Sequence, residues 1–144
     1  MAEENGILAE MEGIPTKKVL FVCGENACRS QMAEALMNDI AGKEIAESSG
    51  TFPAGEVNPK AVEVMREVGI DISGAVPKLF RLEDVERFDR IISFGCIAKA
   101  TFSAPERLEE WLVADPSGHS LAVFRNVRDE IRARVEKLWR ELNN

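Results

Sequence analysis

A thiol, five residues and an arginine give this chain its clearest chemical content, in Cys23-Gly24-Glu25-Asn26-Ala27-Cys28-Arg29-Ser30. The stretch follows the apolar Val19-Leu20-Phe21-Val22 and runs at once into a helical pattern, so it reads as a strand–loop–helix turn. Backbone N–H groups of such a loop, with the helix N-terminus behind them, converge on one small volume and favour a tetrahedral anion there. The same field lowers a thiol pKa, so Cys23 is expected to be a thiolate at neutral pH. Arg29 offers a planar, permanently charged fork to two oxygens of the anion. Gly24, Glu25, Asn26, Ala27, Cys28 and Arg29 are therefore the expected oxyanion cradle, and Cys23 the nucleophile at its base. Taken singly, Cys23 would be a buried strand-end hydrophobe and Arg29 a solvated helix residue. The spacing between a strand and a helix carries the reading. Glu25 is the discordant member, because a carboxylate there repels an anion unless it points to solvent.

A second chemical group is Asp115, in Asp115-Pro116-Ser117-Gly118. Alone it would simply open a turn. Cysteine-based phosphoryl transfer, however, needs a carboxylic acid to protonate the leaving oxygen and later to activate water. Asp115 is expected to fill that role if the fold brings it to the Cys23 loop.

The elements around these residues alternate strand and helix. Met32, Ala33, Leu36, Met37 and Ile40 form a helical stripe closed by Gly42, and Glu44 to Ser49 is a short second strand. Asn58 and Pro59 start a helix whose Val62, Met65 and Val68 share a face, with Gly69 as its stop. Leu82, Val85 and Phe88 mark a short helix, Arg90 to Phe94 a third strand and Trp111-Leu112-Val113 a fourth. Leu121, Phe124, Val127, Ile131, Val135, Leu138 and Leu142 stripe a long terminal helix. This order predicts an α/β domain: a doubly wound, four-stranded parallel sheet in three layers, with ligands at the carboxyl ends of its strands. Cys23, Cys96 and Asp115 each follow a predicted strand directly.

The 144 residues are enough for one domain, and 45% hydrophobic residues suffice for its core. Residues 1–16 are acidic and broken by Gly6, Gly13 and Pro15, which reads as a mobile tail with at most a helical turn at Ile7 to Met11; residues 17–144 form the catalytic domain. A net charge of −7 argues against nucleic acid or an anionic membrane as partner. With no long apolar run or signal-peptide pattern, and three cysteines, the expectation is a cytoplasmic protein with reduced thiols. His119, the one histidine, reads as a surface turn residue.

From Lys17 to Leu142 the chain resembles the superfamily of low-molecular-weight protein tyrosine phosphatases and the arsenate reductases built on the same fold. The resemblance rests on the Cys23–Arg29 loop with Ser30, on Gln31-Met32-Ala33-Glu34, Ser48-Ser49-Gly50 and Asn58-Pro59-Lys60-Ala61, and on Ile70-Asp71-Ile72-Ser73 and Asp115-Pro116. Three features lean toward the reductases. Gln31 stands where the phosphatases usually have proline, Ser117-Gly118 where they place tyrosine, and Phe124 to Ile131 is similar to the reductases' final helix. There is no tyrosine anywhere in the chain.

The resemblance implies that Cys23 attacks arsenate while Asp115 assists departure of a hydroxyl, and that a second thiol then attacks the arsenic-bound sulfur and releases arsenite. Cys96 matches that second thiol. The chain departs from the thioredoxin-coupled reductases in lacking a third cysteine over Ile97 to Phe102. A Cys23–Cys96 disulfide would then be opened directly by thioredoxin or a small thiol. Cys28 is a redox candidate as well, since in the phosphatases a cysteine at this position pairs reversibly with the nucleophile. The reductases also carry a monovalent cation site, usually potassium, whose side-chain positions match Asn26, Glu34, Ser48 and Asp71. No other cofactor is implied, and a monomer is expected. The alternatives are a low-molecular-weight phosphotyrosine or acyl phosphatase working through a Cys23 phosphoenzyme, and a non-catalytic oxyanion or redox sensor.

Overall fold

Strand β1 (Val19–Cys23) is buried along its whole length, as its unbroken apolar sequence requires of a strand with a neighbour on each side and cover on both faces. The computed structural model describes residues 17–97 and 105–143. The N-terminal stretch, with the turn expected at Ile7 to Met11, lies outside them, as do Ala98 to Phe102. Strands β2 (Ala46–Gly50) and β3 (Arg90–Ser93) flank β1 in parallel, with Phe21 opposite both Ser48 and Ile92 and Cys23 opposite Gly50. Strand β4 (Leu108–Glu110) pairs with β3, giving the order β2-β1-β3-β4. The chain leaves β1 for β2 on one side and later reaches β3 on the other. The crevice between β1 and β3 is therefore the switch point, where an open α/β sheet binds ligands.

Alternation along β1 divides the core. Val19, Phe21 and Cys23 face α1 (Arg29–Ala41), α2 (Pro59–Arg66) and α3 (Leu121–Leu142). Leu20 and Val22 face the other way, onto Val85, Phe88, Ile91 and Leu108. Helices α1 and α3 stand where their stripes place them. Met32, Ala33, Leu36 and Met37 of α1 are buried, and Gly42 closes that helix with φ 74°. Asn58 caps α2 by accepting the Lys60 N–H at 2.9 Å, and Pro59 is its first residue. On α2 it is Ala61, Val64 and Met65 that are buried, while Val62 is half-buried.

Several boundaries differ from the sequence reading, and helix α2 ends at Arg66, short of the Val68 expected on its face. Strand β2 begins at Ala46, strand β3 stops at Ser93, and the short helix is a 3₁₀ helix, Leu82–Arg87, whose Leu82 is 63% exposed. The fourth strand is Leu108–Glu110 rather than Trp111 to Val113. Its Glu109 and Glu110 are exposed at the sheet edge, where a strand with one neighbour tolerates charge, so an apolar pattern misses it. Trp111 still donates its N–H to Ser93 at 2.9 Å, and Trp111 and Val113 are buried while Leu112 is exposed.

Candidate active site

The loop after β1 owes its shape to a collar that the sequence did not announce. Thr51, Phe52, Ala54 and Asn58 donate their N–H groups to the carbonyls of Cys23 (3.2 Å), Gly24 (2.7 Å), Glu25 (2.9 Å) and Ala27 (3.0 Å). In a trans peptide the N–H lies opposite the C=O. Tying these carbonyls outward turns the N–H groups of Gly24, Glu25, Asn26 and Cys28 away from the collar, toward the volume the loop encloses. Asn26 completes the turn in the left-handed region at φ 53°, a conformation asparagine tolerates better than most residues. Gly50, at the end of β2, must be glycine. A Cβ there would stand 2.6 Å from the Gly24 carbonyl oxygen and 2.8 Å from the Asn26 nitrogen.

Cys23, Gly24, Glu25, Ala27, Cys28, Arg29, Asp115 and Ser117 line one cavity of about 100 Å³. That is roughly three waters' share of liquid volume, far below the roughly 300–1,000 Å³ of pockets for drug-sized ligands. It suits a small inorganic anion, and among the described residues no aromatic ring lines it. The buried Cys23 sulfur lies 2.9 Å from the Ser30 hydroxyl. Asn26 Nδ2 donates to that same hydroxyl at 2.7 Å, which fills an acceptor position of Ser30 and leaves its proton for the sulfur. Arg29 Nη1 donates to the Val113 carbonyl at 2.9 Å and to Phe94 at 3.4 Å, and its guanidinium lies 5.5 Å from the Phe94 ring centre. These contacts fix the plane of the fork in the cavity wall. Asp115 stands across the mouth, 57% exposed, with Oδ2 3.9 Å from Arg29 Nη2 and Oδ1 accepting the Ser117 N–H at 3.0 Å. Glu25 is exposed, as an anion loop requires of a carboxylate.

The other two thiols differ in their surroundings. Cys28 is buried at the start of α1, and burial, followed by the nearby Asp115 and Cys23, pushes its pKa up to about 12. It stays a thiol at neutral pH. Cys96 is half-buried beyond β3, with its sulfur 3.4 Å from the Val22 carbonyl and within electrostatic reach of Cys23. Burial raises its pKa too, with a hydrogen bond from Ser93 opposing.

Asn26, Glu34 and Ser48 come together; Asp71 does not join them. Asp71 is exposed and accepts the Ser73 N–H at 2.8 Å. The three that converge form a closed hydrogen-bond chain rather than a cation cage. Ser48 donates to Glu34, Asn26 Nδ2 donates to Ser48 at 2.9 Å, and Asn26 Oδ1 accepts from the Lys78 N–H (2.8 Å) and from Gln31 (3.2 Å). A monovalent cation needs oxygens aimed at it, whereas Asn26 presents N–H groups to Ser48 and Ser30. The residues present therefore do not fit potassium. Their chain runs from the half-buried Glu34, whose pKa burial raises, to the Ser30 hydroxyl and the Cys23 sulfur. Among the described residues no group of three or more His, Cys, Asp and Glu side chains could hold a metal ion. His119 is exposed in a turn.

A thiol at a strand end, an arginine fork and a carboxylate at the mouth line one small cavity of an α/β sheet, an arrangement suited to cysteine-dependent oxyanion transfer. The chain belongs to the low molecular weight phosphotyrosine protein phosphatase family, whose pattern matches residues 18–144. It is 41% identical over 125 residues to a protein of Synechocystis sp. named glutaredoxin arsenate reductase, a match covering 85% of this chain and 95% of that one. It is 38% identical over 123 residues to arsenate reductase 2 of Staphylococcus epidermidis, covering 83% and 94%. Among solved structures, an arsenate reductase in a phosphate-binding state is 41% identical with TM-score 0.76, covering 88% of this chain and 98% of that one. A low molecular weight protein tyrosine phosphatase from T. tengcongensis is 30% identical with TM-score 0.78, covering 87% and 99%. Among the described residues no helix is long and apolar enough to cross a membrane.

Proposed function

We propose that the protein reduces arsenate to arsenite. The observation that carries this reading is a second thiol, Cys96, at the strand end beside a cavity of small-anion size that holds Cys23. Arsenate sits on the loop N–H groups and Arg29. The Cys23 thiolate attacks arsenic, and Asp115 protonates the departing hydroxide to water. Cys96, as thiolate, then attacks the Cys23 sulfur. The sulfur–arsenic bond breaks, its electron pair passes to arsenic, and arsenite leaves. Two thiols have become a Cys23–Cys96 disulfide, and arsenic has gained the two electrons. Cys28, pushed up to about 12, is a poor competitor for the second role.

An external dithiol or small thiol must reopen the disulfide. We infer a donor of the thioredoxin, glutaredoxin or glutathione class; the name of the Synechocystis relative supports the glutaredoxin option. The three cysteines are all free, which fits a reducing compartment such as the cytoplasm. The cavity is built from one chain, so we propose that a monomer suffices.

The test sets thiol-dependent arsenate reduction beside hydrolysis of p-nitrophenyl phosphate, in the wild type and in Cys96→Ser. The expected result is loss of arsenite release in the variant with retained phosphoester hydrolysis, which needs only Cys23, Asp115 and water. Arsenate reduction that survives in Cys96→Ser would overturn the assignment of the second thiol. Hydrolysis alone in the wild type would make the protein a phosphatase.

A further inference from the structure

Ser93 ends β3 and is buried, yet it packs no apolar group of its own into the core. Its hydroxyl oxygen accepts two backbone N–H groups, from Gly95 at 3.1 Å and from Cys96 at 3.2 Å. A serine oxygen has two lone pairs and one proton, so both acceptor positions are filled and only the proton remains to be given. The Cys96 sulfur lies 3.7 Å from that oxygen, a reachable distance for the larger sulfur atom. The same sulfur lies 3.4 Å from the Val22 carbonyl, which can accept from a thiol but can only repel a thiolate. The two contacts thus serve different protonation states of one side chain.

We propose that Ser93 is the positioning residue of the second thiol: it folds the Gly95-Cys96 backbone around its oxygen and donates its proton to the Cys96 sulfur in the thiolate form. The inference rests on the reading of Cys96 as the group that attacks Cys23. Two other groups bear on the charge of that sulfur. Cys23, once ionised, opposes a second thiolate beside it, and the Glu110 carboxylate stands near Gly95, 3.5 Å from where a Cβ would be. Burial adds to both. Ser93 works in the other direction, ahead of smaller contributions from the backbone N–H groups of Cys96 and Phe94. In the attack, Cys96 gives its proton to solvent, leaves the Val22 carbonyl and swings about Gly95, whose φ of 96° belongs to glycine's range.

The experiment reads Cys96 without arsenate chemistry. With Cys23→Ser and Cys28→Ser in place, Cys96 is the only cysteine of the chain, and its rate of alkylation by iodoacetamide is followed against pH. Removing a hydrogen bond to a charged sulfur, of about 1.5–3 kcal/mol, should move the midpoint of that profile up by about one to two pH units in Ser93→Ala. Ser93→Thr, which keeps the hydroxyl, should stay within a few tenths of a unit. Ser93→Val gives the same comparison against Thr at equal volume, should the alanine variant fail to fold. An unchanged midpoint in Ser93→Ala, or equal profiles for Thr and Val, would overturn the proposal. Failure of the underlying reading would instead show as no Cys23–Cys96 link after arsenate treatment, with the alkylation profiles still shifted.

Discussion

Asp115 is held loosely for a catalytic group, by one N–H from Ser117 and a 3.9 Å approach to Arg29. In the proposed mechanism it transfers a proton at the mouth of the cavity and does not bind the anion. Asp115→Asn should lower arsenate reduction and hydrolysis of esters with poor leaving groups by about 10²–10⁴. Competitive binding of inorganic phosphate should remain within a few-fold, and an ester with a very good leaving group should suffer least. Equal losses on good and poor leaving groups would remove Asp115 from the role of acid. Cys23, Arg29 and Asp115 were legible in the chain because their chemistry is specific to the side-chain type and each follows a strand or a short loop. Ser93 was not, since a serine accepting backbone N–H groups looks like any other strand-end serine. Asp71 was misplaced for the opposite reason: a matching residue type says nothing about where the carboxylate points, and here it caps its own turn.

At the level of elements, the close approach of β2 to the loop is the most exacting contact. Gly50→Ala puts a methyl against two backbone atoms, neither of which can swing aside as a flexible side chain could. The loop must shift, and a misplacement near 1 Å costs roughly a hundredfold in rate, so kcat/KM should fall by about that factor while the helices remain folded by circular dichroism. Activity near that of the wild type would show the loop to be more pliable than its collar implies. The clamp between α2 and α3 makes a separate prediction. Glu67 accepts from Arg125 at 2.8 Å and from the buried Arg128 at 2.8 Å, and these two guanidinium groups hold its carboxyl pKa down at about 2. A carboxyl depressed in the folded state contributes stability that is full above its unfolded pKa and is lost as pH falls through the folded value. The Tm difference between wild type and Glu67→Gln should therefore be constant above about pH 5 and shrink between there and about pH 2. A difference independent of pH would mean that the clamp works by packing alone. The helices carrying these contacts were readable from stripes at 3.6-residue spacing. Strand β4 was misplaced because an edge strand of one leucine and two glutamates carries no alternation to detect, and the buried Arg128 is invisible to a pattern that counts apolar positions only.

Over the whole molecule, the order β2-β1-β3-β4 puts the ends of β1 and β3 side by side, and with them Cys23 and Cys96. They lie on different sides of the sheet: Cys23 packs with the helices, and Cys96 against the cluster of Leu20, Val22 and Val85. Topology brings the thiols near each other and packing keeps them apart; the proposed disulfide requires the sulfurs to close to about 2.05 Å. The alternation of strands and helices in the sequence was enough to foresee this sheet and the convergence at its carboxyl edge. The sides on which the thiols pack depend on the loops after each strand, which carry no periodicity. The most direct test is peptide mapping of the reduced protein after arsenate treatment with no thiol donor present. The account predicts one arsenite released per chain and a peptide pair linked through Cys23 and Cys96. A Cys23–Cys28 link, or no disulfide with Cys23 left reduced, would contradict it.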